Sequence, residues 1–201
     1  MRYGFTHNTE FITRASFIHN NARHSTPADP SNNSENRFAD AWLGINTQFK
    51  KDNDNPALLG FVEVALYERH KTNHAAFKSW LFGLTTYHAI DPIVLSLTLA
   101  YRFNQTRQDN NINYKPGNLL LINPQLAFAV NDRVTLTSGM QWTHHQADTN
   151  HQQQTWQRTS TDLLIGMGFG LSKESTMNFT VKTNISGRSG ADLRLSWLHT
   201  F

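Results

Sequence analysis

Cysteine is absent from the 201 residues, which removes disulfide staples, thiolate chemistry and zinc–cysteine sites. Long apolar runs are missing too. No stretch approaches the roughly 18–20 consecutive hydrophobic residues that a membrane-spanning helix needs. Only 38% of the residues are hydrophobic, and the mean hydropathy is −0.52. No Lys/Arg block occurs and the formal net charge is only +3, so a nucleic-acid partner is not expected. No Gly-x-Ser-x-Gly or His-Glu-x-x-His motif is present, which argues against an enzyme and implies no cofactor. The start, MRYGFTHNTEF, has neither the apolar core nor the small-residue cleavage site of a signal peptide.

Together these absences exclude a helical bundle in a bilayer. They leave a soluble β protein, or a transmembrane barrel in which only alternate residues meet lipid while lumen and loops stay polar.

What the sequence does have is period-two alternation from end to end. In IVLSLTLAYRF, Ile93, Leu95, Leu97, Leu99, Tyr101 and Phe103 share one face, and Val94, Ser96, Thr98, Ala100 and Arg102 share the other. A helix would scatter both sets, whereas a strand separates them. Leu163, Ile165, Met167, Phe169 and Leu171 likewise oppose Asp162, Gly166, Gly168 and Gly170. Val62, Val64 and Leu66 oppose Glu63, Ala65 and Tyr67. The pattern predicts about eleven strands over 1–7, 10–20, 37–49, 56–69, 77–88, 92–104, 118–130, 133–145, 159–171, 175–185 and 190–201. Several have the length a tilted strand needs to cross a bilayer.

Connections alternate in length. Short turns fall at HNT, KDNDN, AIDP, NDR and SKES, and longer polar links at 21–36, 70–76, 105–117 and 146–158. Short periplasmic turns and long extracellular loops are the outer-membrane arrangement. A soluble sandwich also alternates. Against it stand aromatics near strand ends, Tyr87, Tyr101, Phe103, Trp142, Trp197 and Phe201, placed as interface girdles are. The expectation is an all-β, antiparallel transmembrane β-barrel forming a single domain over 1–201, in the cell outer membrane among outer-membrane lipid and lipopolysaccharide. Single-chain bacterial barrels close with an even strand number, so the expected count is about 12, with an N-terminal strand missing by truncation.

The chain ends DLRLSWLHTF. This resembles the C-terminal signature that the barrel-assembly machinery recognises, with Phe201 as terminal aromatic and Trp197, Leu195 and Leu193 at the alternating positions; His199 departs from the usual apolar residue. The segments DPIVLSLTLAYRFN and GNLLLINPQLAFAVNDRVTLTSGMQW carry a finer likeness. Asp91, Pro92, Gly117, Asn131, Asp132 and Gly139 fit the turn and strand positions of an outer-membrane transporter family. That family includes the Fap-type functional-amyloid secretion channel and proteins of aromatic-degradation pathways. The resemblance covers about a quarter of the chain. It implies a twelve-stranded barrel, a homotrimer, and a periplasmic helical segment with a plug ahead of the barrel; that preceding region is not visible in these residues.

Lumen-lining candidates on the face opposite the lipid stripe are Arg2, Arg14, Asp40, Glu63, Arg102, Asp162, Lys182, Asp192 and Arg194. Their mixed signs could line a conduit or pair off inside a filled lumen. Trp42 and Tyr67, at inward positions, could stack an aromatic solute or simply pack. Histidines cluster at His144, His145 and His151, at His70 and His74, and at His19 and His24. Adjacent histidines on a strand point to opposite faces, so no metal site is expected. The function read from the sequence is an outer-membrane channel or transporter, the favoured cargo being an unfolded or amyloid-like polypeptide. Two alternatives are uptake of small hydrophobic or aromatic compounds, and a non-transporting barrel with an adhesive or structural role.

Overall fold

The structure is a computed structural model that describes residues 2–26, 29–70, 73–109, 112–150, 153–172, 174–186 and 191–199. Its strands are β1 (Arg2–Thr6), β2 (Thr9–Thr26), β3 (Asp29–Lys50), β4 (Ala57–His70), β5 (Asn73–Ala75), β6 (Ser79–Ile90), β7 (Ile93–Asn104), β8 (Arg107–Asp109), β9 (Ile112–Lys115), β10 (Leu119–Asn131), β11 (Val134–His145), β12 (Thr149–Asn150), β13 (Gln153–Gln154), β14 (Arg158–Ser172), β15 (Ser175–Asn184) and β16 (Ala191–His199). One antiparallel sheet runs β1-β2-β3-β4-β6-β7-β10-β11-β14-β15-β16, with β5 paired to the end of β4. Each long strand pairs with the next long strand along the chain. Loop-closure entropy is low for such a meander.

The eleven predicted strands correspond to the eleven on this path. Both edges, β1 and β16, run toward the short-turn end, so they would meet parallel rather than antiparallel. Among the described residues no pairing joins them.

Three of the predicted loops are corrected. The link at 21–36 is expected as irregular, yet β2 and β3 continue through it, paired from Phe17↔Phe38 to Thr26↔Asp29. The links at 105–117 and 146–158 contain β8, β9, β12 and β13, which form a separate four-stranded sheet. Polarity misleads here for one reason. Beyond a bilayer both faces of a strand meet water, so extended chain needs no apolar alternation.

The burial pattern is inside-out relative to a soluble protein. Leu95, Leu97, Leu99, Tyr101 and Phe103 of β7 are all exposed, as are Ile165, Met167, Phe169 and Leu171 of β14. The buried set holds Glu63, Glu68, Ser79, Asn104, Asn123 and Asp162. Exposed apolar residues also occur singly on soluble proteins, but here they form a continuous stripe over successive strands, and water would penalise a surface of that extent. A sandwich core would reverse these two lists. Hydrocarbon outside and a polar bore inside account for both.

Aromatics divide accordingly. Tyr101, Phe103 and Trp197 lie on the exposed face. Tyr87 does not join them. It pairs with Ser96 and its hydroxyl accepts a hydrogen bond from Gln48 Nε2 at 3.5 Å, so it faces the bore. Phe201 lies outside the described residues.

The wall is shaped by local departures from regularity. At Gly83 a Cβ would run into the Phe61 ring, which crosses the inner face there. Pro124 sits in the middle of β10, where its missing N–H cannot join a ladder. Pairing with β7 continues past it, Pro124↔Leu97, while pairing with β11 lapses between Ile122↔Trp142 and Gln125↔Gly139. The β3–β4 turn is tied down by Asp52. Its two oxygens accept from the Ala89 amide and meet His88 Nδ1, both at 2.8 Å. These bonds, first that from His88 and then that from Ala89, hold the Asp52 carboxyl below its ordinary value.

Two outcomes are expected. Gly83→Ala overpacks the inner face and destabilises by about 1–3 kcal/mol, and Phe61→Leu in the same chain recovers most of that in urea unfolding from micelles. Because its folded pKa is depressed, Asp52 adds stability above its unfolded pKa and loses it as pH falls through the folded value. Protection of the Ala89 amide, taken as its exchange rate relative to the unprotected peptide rate at the same pH, should therefore fall on acidification below about pH 4, and Asp52→Ala should abolish that step.

Candidate functional site: a charged belt inside the bore

Inward side chains on the half of the wall near the turns are mostly uncharged: Gln48, Leu59, Phe61, Thr85, Tyr87, Thr98, Thr137 and Gly168. Charge concentrates on the half near the long loops, in two groups.

The first group spans β2, β3, β4 and β7. Register places Arg14 beside Trp42, and Trp42 beside Ala65. Arg14 Nη2 pairs with Glu63 Oε2. The carboxylate side chain is 7% exposed and the guanidinium 46%, so the anion is the partner that depends on the bond. Ser16 Oγ donates to Asp40 Oδ1 at 2.5 Å. The Arg102 guanidinium lies 4.9 Å from the Trp42 ring centre, a cation–π contact, and pairs with Glu68 Oε1.

The second group spans β14, β15 and β16. Asp162, nearly buried, accepts from Asn184 Nδ2 at 2.7 Å and lies 3.7 Å from Lys182 Nζ. Lys182 also lies 3.4 Å from Asp192. Arg194 is exposed toward the bore and makes no ion pair among the described residues. Beside this group is a cavity of about 460 Å³ lined by Gln125, Thr137, Gly166, Thr180, Lys182 and Arg194 among others. Gly166 and Gly168 leave room where side chains would fill the bore.

The sequence candidates Arg14, Asp40, Trp42, Glu63, Arg102, Asp162, Lys182, Asp192 and Arg194 thus all face inward. Tyr67 is the exception. Between Trp42↔Ala65 and Ala41↔Tyr67 the β4 strand carries one extra residue, Leu66. This bulge turns Tyr67 onto the face of Ala41 and against the Phe38 ring, with ring centres 5.2 Å apart. A bulge shifts every later residue to the other face, so Glu68 points into the bore instead. Trp42 is 7% exposed and covered by Arg102, so its ring is not open to a solute. The side chain of Arg2 lies outside the described residues. Of the assembly positions, Leu193, Leu195 and Trp197 lie on the exposed face of β16.

Sequence reasoning misses Glu68, Ser79, Asn104 and Arg107. The first is hidden by the bulge and the last by its place in a loop. A signal was available in the polar run Glu68-Arg69-His70, which breaks the alternation of β4 before its end.

His144 and His145 do point to opposite sides. His144 stacks on the exposed-face Trp142 and meets Thr159 Oγ1 at 3.1 Å, while His145 lies 3.9 Å from Asp148. Among the described residues no group of three or more His, Asp or Glu is placed to hold a metal ion.

No family model matches the chain, and no curated protein matches it. Among solved structures it is similar to an outer membrane channel from Pseudomonas putida F1, with a TM-score of 0.72 and 12% identity. That match covers 100% of this chain and 80% of the other. A loop L8 deletion mutant of OmpT, an outer membrane protein of Vibrio cholerae, matches with a TM-score of 0.47 and 11% identity, over 95% of this chain and 62% of that one; at that score it adds nothing to the argument. The fold is that of an outer-membrane β-barrel. Together with the apolar exterior, this places the chain in the cell outer membrane. The Fap-type likeness gains no separate support from these matches.

The ion pair at Glu63 gives an asymmetric expectation. Arg14→Met strands a buried carboxylate and costs about 3 kcal/mol, whereas Glu63→Gln frees a half-exposed guanidinium into water and costs about 1 kcal/mol. Urea midpoints of the two variants in micelles measure the difference; equal costs would refute the burial argument.

Proposed function

We propose that this chain forms the wall of a passive outer-membrane channel for hydrophilic cargo. One observation carries the reading: polar and charged groups line most of the inner face, interrupted by Leu59 and Phe61, while successive long strands carry a continuous apolar stripe outward. The bore is filled by ion pairs on the β2–β7 side and thinned by glycine and threonine on the β11–β15 side, where the cavity of about 460 Å³ lies. The path of least obstruction therefore runs along β11, β14 and β15. The fold-level likeness to an outer membrane channel agrees with this reading and, at 12% identity, does not choose the cargo.

An extended, unfolded polypeptide is the first cargo to test. Hydroxyl, amide and both signs of charge along the path can exchange hydrogen bonds with a peptide backbone and with side chains of either sign. The second reading, a small solute held on its way through, is favoured by the cavity, whose volume falls within the range of small-molecule sites. The aromatic version of that reading has lost both its stacking platforms, since Arg102 covers Trp42 and Tyr67 turns outward.

The test uses the protein extracted from outer membranes and inserted in planar bilayers. Stepwise ionic conductance is expected, and Thr180→Trp, which fills the cavity from a position that itself makes no ion pair, should cut it at least twofold. An unstructured peptide added on one side should block wild-type current transiently. Correctly inserted protein that never conducts at any voltage would end the channel reading.

A further inference from the structure

Arg107 opens β8, three residues beyond the end of β7 at Asn104. A guanidinium there could reach water above the wall. It turns into the bore instead, and its side chain is only 10% exposed. Its Nη2 donates to Glu68 Oε2 and to Ser79 Oγ, each at 2.7 Å. The other Glu68 oxygen is taken by Arg102. One luminal carboxylate, 7% exposed, thus holds a wall arginine and a loop arginine at once.

From there a line of hydrogen bonds leads outward into both long loops. Ser79 Oγ donates to Asn104 Oδ1 at 2.6 Å, and Asn104 Nδ2 donates to the Gly117 carbonyl at 2.7 Å. The Gly117 amide donates to Asp148 Oδ1 at 2.7 Å. A Cβ at Gly117 would collide with the Gln146 carbonyl, so the two loops touch backbone to backbone. These loops are the ones that build the four-stranded sheet β13-β12-β9-β8. Burial raises the Tyr114 hydroxyl above its ordinary value, and the Asp148 carboxylate adds to the rise.

The seat is not a comfortable one. Arg107 Nε is buried without any hydrogen-bond partner, and two guanidiniums share one carboxylate. A buried donor left unmet is unfavourable, and breaking one side of a buried ion pair exposes the other. Arg107 remains inside because Glu68 holds it there.

We propose that Glu68 is a latch: through Arg107 it draws the four-stranded loop sheet over the loop end of the bore, and the pore opens at that end when the Glu68–Arg107 pair parts. This rests on the channel reading above and adds to it a closed resting state set by one named contact.

The experiment compares wild type, Arg107→Gln, Arg107→Lys and Glu68→Gln, each extracted from outer membranes. Two measurements are made: mean current in planar bilayers, and the rate at which chymotrypsin cuts after Tyr114 in β9. Arg107 lies outside the wall, so its variants remain informative if Glu68→Gln fails to assemble. The latch predicts at least a threefold rise in mean current for Arg107→Gln, with faster cutting after Tyr114. Arg107→Lys, which keeps a charged donor, should stay near wild type in both. Unchanged current and unchanged cutting in Arg107→Gln would overturn the latch. Faster cutting with no current in any form, wild type included, would keep the latch and reject the channel.

Discussion

Hydrocarbon offers a peptide group no hydrogen-bond partner, so a chain that crosses it must satisfy its own backbone. The long strands between the two sheet edges do so through antiparallel neighbours on both sides, and the rest of the architecture follows. The ladder fixes which residues share a face. Once the outward face is apolar, the inward face is free to carry the charges that a soluble core would reject. Glu63, Glu68 and Asp162 are buried here because the wall, not a core, surrounds them. Their partners come from the adjacent strand or the next but one: Arg14 for Glu63, Arg102 for Glu68, Lys182 for Asp162.

Most of the wall is legible in the amino-acid order, because alternation records the ladder directly. The run from Leu95 to Phe103 predicts its own exposure residue by residue. Glycines at 166 and 168 announce a thinned inner face. What alternation cannot record is a one-residue slip. Leu66 is apolar like its neighbours, and nothing in Val64-Ala65-Leu66-Tyr67-Glu68 marks it as the extra residue. The slip is legible only from β3, where Trp42 pairs with Ala65 while Ala41 pairs with Tyr67. It exchanges an aromatic platform for a carboxylate at the mouth of the bore.

The loops fail to declare themselves for a different reason. A sequence pattern reports the contrast between two environments, and past the membrane there is only water. The extension of β2 and β3 through an Asn- and Ser-rich stretch leaves no period-two trace. The small sheet of β8, β9, β12 and β13 is likewise held by polar bonds rather than by an apolar face. The proposed latch sits at this boundary, where the regular wall stops and side chains from loop and strand meet around Glu68.

Pro124 points to a mechanical property of the wall. A sheet resists bending across its strands because each rung is tied on both sides, and at β10 one rung is tied to β7 alone. The lapse falls mid-strand, beside Gly139, whose backbone lies close against the Pro124 carbonyl. Strain applied at either rim would concentrate along that seam, giving an otherwise stiff cylinder wall a line of compliance between β10 and β11. The β2–β7 side, braced by its ion pairs, would stay rigid while the thinner β11–β15 side moved.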